Sequence, residues 1–324
     1  MNVLVTGATG FVGGHLVDRL LARGDTVTAT VRSPSRASAL ASRGVRLVAT
    51  DLSNRAALTD AVRDQEIVYH AAAQLGSSDE AELMRVNRDG TRNIADAAAA
   101  ARRPPRVVLV SSMAAGGPST RGTPKRDAGD DHPVTMYGRS KLAGEKALAD
   151  AAPSWCAVRA PVVYGPRDRD GFLPLFKAVR WGIAPMFGDG SMEVCLIHVG
   201  DLADALIDAA GSNAVEHGIF YVNHPEIVTG AELLRRIAAL MQRTVMPLPL
   251  PEWAARAALT VTGAWADLFH QKSILHPDKV HEFYQEAWTA DPAPFIAATA
   301  WHPAWDLDRG LADTLASYRE ARWI

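Results

Sequence analysis

The chain has little cysteine, little charge imbalance and no long apolar run. Its two cysteines, Cys156 and Cys195, sit in apolar stretches, which excludes a disulfide-stapled scaffold and points to reduced core thiols. Lys and Arg number 34 against 36 Asp and Glu, so there is neither a basic field for nucleic acid nor an acidic tail. No uninterrupted apolar run reaches the ~20 residues that span a bilayer, so no integral membrane segment is expected. The start of the chain has neither the charged region nor the cleavage pattern of a signal peptide. The ten histidines, His70, His132 and His198 among them, show no metal-ligand spacing, and no metal site is expected. Internal repeats and low-complexity linkers are absent. What remains is a chain of 324 residues, 48% hydrophobic and 22% charged. That balance is ordinary for a globular protein of the reducing cytoplasm, and the length suits one large α/β unit or two modest domains.

Short β-branched runs alternate with Ala-rich amphipathic stretches. Strands are expected at 2–6, 26–31, 45–49, 67–70, 106–111 and 156–159, with helices at 11–23, 35–42, 54–63, 79–101 and 137–150. Strand and helix in turn, with short links, predict a doubly wound parallel sheet covered on both faces. After Gly165 prolines and tryptophans become frequent, with a strand expected at 218–222 and a helix at 230–241. The reading is α/β: a Rossmann-type domain over 1–165 with returning segments near 191–223, interleaved with a smaller α+β substrate domain over 166–324. Trp253, Ala257, Val261, Ala264 and Leu268 fall at helical spacing, predicting a helix over 253–269 with an apolar face.

The N-terminal strand runs into Thr6-Gly7-Ala8-Thr9-Gly10-Phe11-Val12-Gly13-Gly14. Glycine is poor material for strand or helix, so this turn needs bare backbone. A strand, three glycines spaced three apart and a helix make a dinucleotide-binding turn. The first glycine permits the turn, the second lets backbone approach a diphosphate, and the third lets helix and strand pack closely. The diphosphate then sits at the positive end of the helix. The second strand ends at Val31-Arg32. An acidic residue there would accept the ribose hydroxyls; a guanidinium suits a 2′-phosphate instead, so NADP(H) is favoured over NAD(H). Tyr137 and Lys141 lie four apart on one helix face. An ammonium beside a phenol stabilises the phenolate, and such a tyrosine can exchange a proton with a substrate oxygen.

The turn TGATGFVGG together with Tyr137-Gly-Arg-Ser-Lys141 resembles the extended short-chain dehydrogenase/reductase family, of the NAD(P)-dependent epimerase/dehydratase type. The resemblance extends over most of the chain. Asp51-Leu52 matches the family's adenine-contacting pair, and Ala71-Ala72-Ala73 its small-residue run beneath the cofactor. Val86-Asn87-Arg88-Asp89-Gly90-Thr91-Arg92-Asn93 resembles VNxxGTxN. Arg159-Ala160-Pro161-Val162-Val163-Tyr164-Gly165-Pro166 resembles RPxxVYGP, and His198-Val199-Gly200-Asp201-Leu202-Ala203 resembles HVxDLA. The resemblance implies that Pro161, Val162 and Val163 lie along the cofactor and that Lys141 also holds its ribose. It further implies a hydroxyl at the end of strand five that fixes the substrate oxygen near Tyr137. Counting back from Gly117 selects Ser112, with Ser111 as the alternative. Asn87 is expected to tie its helix to a neighbouring strand and shape the water path, with a catalytic role second. A homodimer built on helices 79–101 and 137–150 follows from family habit.

Within that family, dehydratases carry Thr-Asp-Glu where this chain has Ser112-Met113-Ala114. Epimerases carry an arginine before the HV motif, where this chain has Met192-Glu193-Val194-Cys195-Leu196-Ile197. The segment SSMAAGGP resembles that of 3β-hydroxysteroid dehydrogenases and the dihydroflavonol reductase-like branch. The expected activity is therefore interconversion of a ketone and a secondary alcohol on a largely apolar small molecule: β-keto, sterol-like or flavonoid-like. A nucleotide-sugar epimerase with tightly held NAD is the first alternative and a non-catalytic dinucleotide sensor the second. Substrate contacts are expected from Ser112, Met113, Ala114, Tyr164, Phe172 and Phe176. Leu173, Leu175, Trp181 and the helix near 253–269 are candidates to line or lid an apolar pocket, and Trp253 and Trp265 to rest on a membrane surface.

Overall fold

The computed structural model describes residues 1–257, 259–260 and 277–324. Strands β1 (Asn2–Thr6), β2 (Thr26–Val31), β3 (Arg46–Ala49), β4 (Ile67–His70), β5 (Arg106–Ser112) and β6 (Trp155–Ala160) form one parallel sheet with a returning strand, Gly218–Tyr221. The order across it is Gly218–Tyr221, β6, β5, β4, β1, β2, β3. The chain winds outward in both directions from β1, and the crevice for a ligand opens at that reversal, between the C-terminal ends of β1 and β4.

Alternation along β1 explains why both faces are covered. Val3 and Val5 join Leu16 and Leu20 of the helix Phe11–Ala22 in one core, while Leu4 joins Leu58, Ile94 and Leu109 in the other. A central parallel strand reads as continuous apolar sequence for this reason.

Two expected helices differ in detail. The stretch expected at 35–42 is a tight turn, Pro34–Ala37, followed by Ser38–Ala41; Pro34 sets its first residue and Gly44, at φ 86°, closes it. The stretch expected at 79–101 is helical over Glu80–Leu83, widens into a π-type turn over Met84–Asp89, and resumes over Gly90–Ala99. Asn87 sits in the wide turn and spends its side chain on the backbone of Gln74. Its carbonyl accepts the Thr91 hydroxyl at 2.6 Å and abuts Gly144, where a Cβ would lie 2.5 Å away.

The C-terminal part builds its own core. Strand Glu193–His198 pairs with Val162–Tyr164 and Ala287–Trp288 in parallel and with Ile227–Thr229 antiparallel. A separate two-stranded ribbon pairs Ile183–Phe187 with Met246–Leu250. In that ribbon the Met246 N–H donates to the Gly182 carbonyl and the Gly188 N–H to the Leu250 carbonyl, so Pro247 and Pro249 occupy its outer edge. Helices Leu173–Arg180, Gly230–Leu240 and Leu307–Glu320 close the core around Phe176, Ile237, Leu311 and Tyr318. Residues 252–257 are helical, whereas Val261, Ala264, Trp265 and Leu268 lie outside the described residues. No described helix is long and apolar enough to cross a membrane.

Candidate active site

The glycine turn is a piece of close backbone packing. Gly7 has φ 73°, and a Cβ there would sit 2.7 Å from the Ala72 nitrogen and 2.8 Å from the Ala71 carbonyl carbon. A Cβ on Gly13 would lie 2.2 Å from the Gly7 oxygen. Gly7 therefore lets the turn nest against the end of β4, and Gly13 lets the start of the helix pack on the turn itself. Thr6 completes the nest: its Oγ1 accepts the Ala72 N–H at 3.1 Å and lies 2.7 Å from His70 Nδ1. His70 is fully buried, and burial depresses its pKa to about 3; it is a neutral strut.

Gly10 begins the helix Phe11–Ala22 with no side-chain cap and no acidic residue in the first turn. The first N–H groups of a helix have no intrahelical partner, and Thr9 and Gly10 are exposed. An uncapped, uncharged helix start beside bare backbone fits a dinucleotide diphosphate. Arg32, at the end of the adjoining β2, is exposed. Nearby Asp51 accepts the Ser53 N–H at 2.8 Å and its hydroxyl at 2.5 Å. Those bonds hold its carboxyl below the usual range, with the Arg32 charge helping. Leu52 packs on Gly90, and its carbonyl accepts Asn93 Nδ2 at 2.8 Å.

The two serines at the end of β5 point to opposite faces, as the pleat requires. Ser111 turns inward and donates to Glu145. Ser112 turns into a cleft that Tyr137 also lines, and its Oγ caps the short helix Met113–Gly116 by accepting the Ala114 N–H at 3.1 Å. Ser112, rather than Ser111, thus faces the phenol. Tyr137 and Lys141 lie on the helix Met136–Ala151, capped by Thr135. Two glycines bring that helix in: a Cβ on Gly138 would lie 2.3 Å from the Ala114 oxygen, and Gly144 meets Asn87. Asn87 also donates to Ser140 Oγ at 2.9 Å, linking its wide turn to the Tyr137 helix.

Lys141 Nζ donates to the Val110 carbonyl at 2.8 Å. Burial pushes its pKa down to about 8, while Glu145 one turn along holds it up. Sequence alone predicts a phenol lowered by that ammonium. Instead burial raises Tyr137, with Ser112 pulling it down and Glu282 pushing it up. The lysine is spent on the strand end, and desolvation dominates both groups.

Behind the helix lies a buried ion cluster that sequence reading passed over. Arg159, whose side chain is fully buried, donates to Glu145 at 2.9 and 2.6 Å. It also donates to both oxygens of Asp131, at 2.6 and 2.9 Å, and to Tyr221 Oη at 3.0 Å. The planar fork of arginine suits this double pairing. It ties the loop after β5 to the helix that carries Tyr137 and Lys141.

The cleft has a volume of about 270 Å³. Ser112, Met113 and Ala114, of which a substrate contact is expected, line it, and so do Pro161 and Val162, expected to lie along the cofactor. Tyr164, Phe172 and Phe176 do not. All three lie in the C-terminal core, Tyr164 stacked on Phe172 at 5.1 Å and Phe176 edge-on to Tyr318 at 5.4 Å. Leu173 is buried with them. Trp181 and Trp253 are 80% and 74% exposed and stand outside the cleft. Its far wall comes from Met192, in the segment before His198, and from Lys279, Glu282, Phe283 and Trp288, which carried no motif. For the last four, the aromatic cluster over 283–288 was a signal. Among the described residues no group of His, Cys, Asp or Glu could hold a metal ion.

Residues 3–222 match the NAD dependent epimerase/dehydratase family. The chain belongs to that family. It is an enzyme of the extended short-chain dehydrogenase/reductase type, dependent on NAD or NADP. A ceramide reductase of Caulobacter vibrioides is 31% identical over 99% of this chain and 96% of its own. A UDP-glucose 4-epimerase of Vibrio cholerae is 25% identical over the same shares. The fold matches that of the UDP-glucuronic acid 4-epimerase of Bacillus cereus, solved with NAD, at TM-score 0.79, 19% identity and 99% of both chains.

Proposed function

We propose that this enzyme interconverts a ketone and a secondary alcohol on a largely apolar substrate, with NADP(H) as the preferred cofactor and NAD(H) as the alternative. The observation that carries the reading is the cleft itself. Its walls are mainly apolar, and no arginine among the described residues lines it. A nucleotide sugar brings a diphosphate, which calls for cations and bidentate donors. Among the described residues a single ammonium lines the cleft, that of Lys279, and the Glu282 carboxylate beside it sets a negative charge against a diphosphate. Resemblance to a ceramide reductase over nearly the whole chain supports the same reading. The exposed guanidinium of Arg32 beside the end of β2 supports NADP(H).

Hydride exchange is the chemistry that a bound nicotinamide would supply. The chain's own part is proton transfer and orientation. Ser112 donates a hydrogen bond to the substrate oxygen and sets it against Tyr137. The phenol, raised by burial, is a proton donor at neutral pH and delivers its proton to that oxygen in the reducing direction. Buried Lys141 stands one turn behind it and would hold the ribose of a bound cofactor.

The resemblance to UDP-glucose 4-epimerase, over the same share of the chain, favours epimerisation as a second reading. Spectrophotometry of NADPH with apolar ketones and with UDP-hexoses tests the two. The expected result is stoichiometric NADPH consumption with a ketone. Interconversion of UDP-hexoses, with retained NAD and no net consumption, overturns it. Tyr137→Phe is expected to lower kcat by about 10²–10⁴-fold, the usual share of general acid catalysis; unchanged turnover removes the proton-donor role.

A further inference from the structure

Besides Ser112 and Tyr137, the cleft's side-chain polar groups are mainly one ion pair. Lys279 Nζ lies 2.5 Å from Glu282 Oε2 and 5.3 Å from the centroid of the Tyr137 ring. The segment that carries both is latched to the first turn of the catalytic helix. Glu282 Oε1 accepts the Thr135 hydroxyl at 2.9 Å, and Asp278 accepts the Met136 N–H at 2.8 Å. Carboxylates at a helix N-terminus are favoured by the helix dipole, whereas an ammonium there is opposed by it. Asp278 and Glu282 are thus explained by docking the segment, and Lys279 is not. Its side chain is 21% exposed, in a mainly apolar cleft where a cation loses hydration. Glu282 and the face of the Tyr137 ring offset that loss and hold the amine at the cleft.

An ammonium has three N–H donors, and among the described residues Glu282 is the partner that takes one. The remaining donors border the cleft on the side of the Tyr137 ring. Amine and phenol therefore address atoms of a single bound molecule only a few bonds apart. We propose that Lys279 forms a recognition subsite for a second acceptor oxygen on the substrate, an amide carbonyl or a carboxylate near the reacting ketone. The substrate class is then an amphiphile: an apolar body carrying a ketone and, beside it, a hydrogen-bond acceptor. This rests on the ketone-reducing reading and adds what selects among ketones. Glu282 holds the amine toward the reacting centre, while Met192, Phe283 and Trp288 receive the apolar body.

The test compares a plain long-chain ketone with its β-keto amide and β-keto acid counterparts, each assayed with NADPH. The readout is the ratio of kcat/KM for the acceptor-bearing ketone to that for the plain one. Wild type is expected to favour the acceptor-bearing compound at least tenfold. Lys279→Met is expected to cut that ratio at least tenfold, mainly through KM. Lys279→Gln, which keeps a neutral donor, is expected to fall between, and Lys279→Arg to recover most of the preference. The amide and acid arms tell whether the acceptor is neutral or anionic. A ratio unchanged in Lys279→Met, or in Lys279→Gln should the methionine variant not fold, overturns the subsite while ketone reduction stands. Failure of wild type to turn over any ketone overturns the reductase reading and the subsite together.

Discussion

The two walls of the cleft are made in different ways. On the sheet side, Ser112, Tyr137 and Lys141 are placed by backbone against backbone. Gly138 and Gly144 leave no room for a methyl group, and a buried arginine locks the helix from behind. On the other side, Lys279, Glu282 and Phe283 are placed mainly by side chains, next to Trp288 on its short strand. Carboxylates dock on a helix start, the Trp288 indole donates to the Glu282 carbonyl at 2.8 Å, and Phe283 stacks on Phe187 at 4.1 Å. The first wall has no slack and suits chemistry that tolerates little misplacement. The second can be rebuilt one residue at a time and suits selection of substrate.

If that contrast holds, damage to the first wall unfolds or inactivates. The largest expected effect is at Arg159. Arg159→Leu strands Glu145 and Asp131 without their cation, and removing one partner of a buried pair costs about 3–5 kcal/mol; thermal or urea unfolding reads it. A loss below ~1 kcal/mol would mean that the cluster adds little rigidity.

Next comes Lys141. Its folded pKa of about 8 lies below the ordinary lysine value of 10.5. Between those values the unfolded chain binds the proton and the folded one does not, so stability rises with pH across that window. Above it the contribution is fully present; below about pH 8 it is lost. Lys141→Met in the cofactor-free protein is expected to flatten this rise, on the order of 3 kcal/mol, while abolishing most activity. An unaltered pH dependence of unfolding removes the account of a buried, strained ammonium.

The smallest effect is expected at Arg32, which belongs to neither wall. Arg32→Ala should shift the ratio of KM for NADPH over NADH upward by about tenfold, the size of one phosphate contact of roughly 1.4 kcal/mol. Equal preference before and after removes the NADP(H) assignment.

Much of the first wall was legible because its constraints are local. Gly7, Gly10 and Gly13 at fixed spacing announce bare backbone, and the four-residue step from Tyr137 to Lys141 announces a shared face. Choosing Ser112 over Ser111 required counting to Gly117; the pleat alone says only that the two diverge. The wide turn at Asn87 was not legible, because the group its carbonyl abuts, Gly144, lies on another helix. Tyr164, Phe172 and Phe176 show a different limit. Apolar character says that a ring will be buried, not against what, and here a second core claimed all three. Lys279 and Glu282 meet Tyr137 across about 140 residues of chain, and no spacing rule operates over that distance.

The ribbon outside the cleft carries its own safeguard. Met246 and Leu248 are 65% and 40% exposed on its outer strand, an arrangement that invites sheet-to-sheet zipping between molecules. Pro247 and Pro249 remove the amide hydrogens that a newcomer strand would need along that border. Crowded copies of the enzyme can touch there through greasy side chains, but they cannot knit into a continuous ladder.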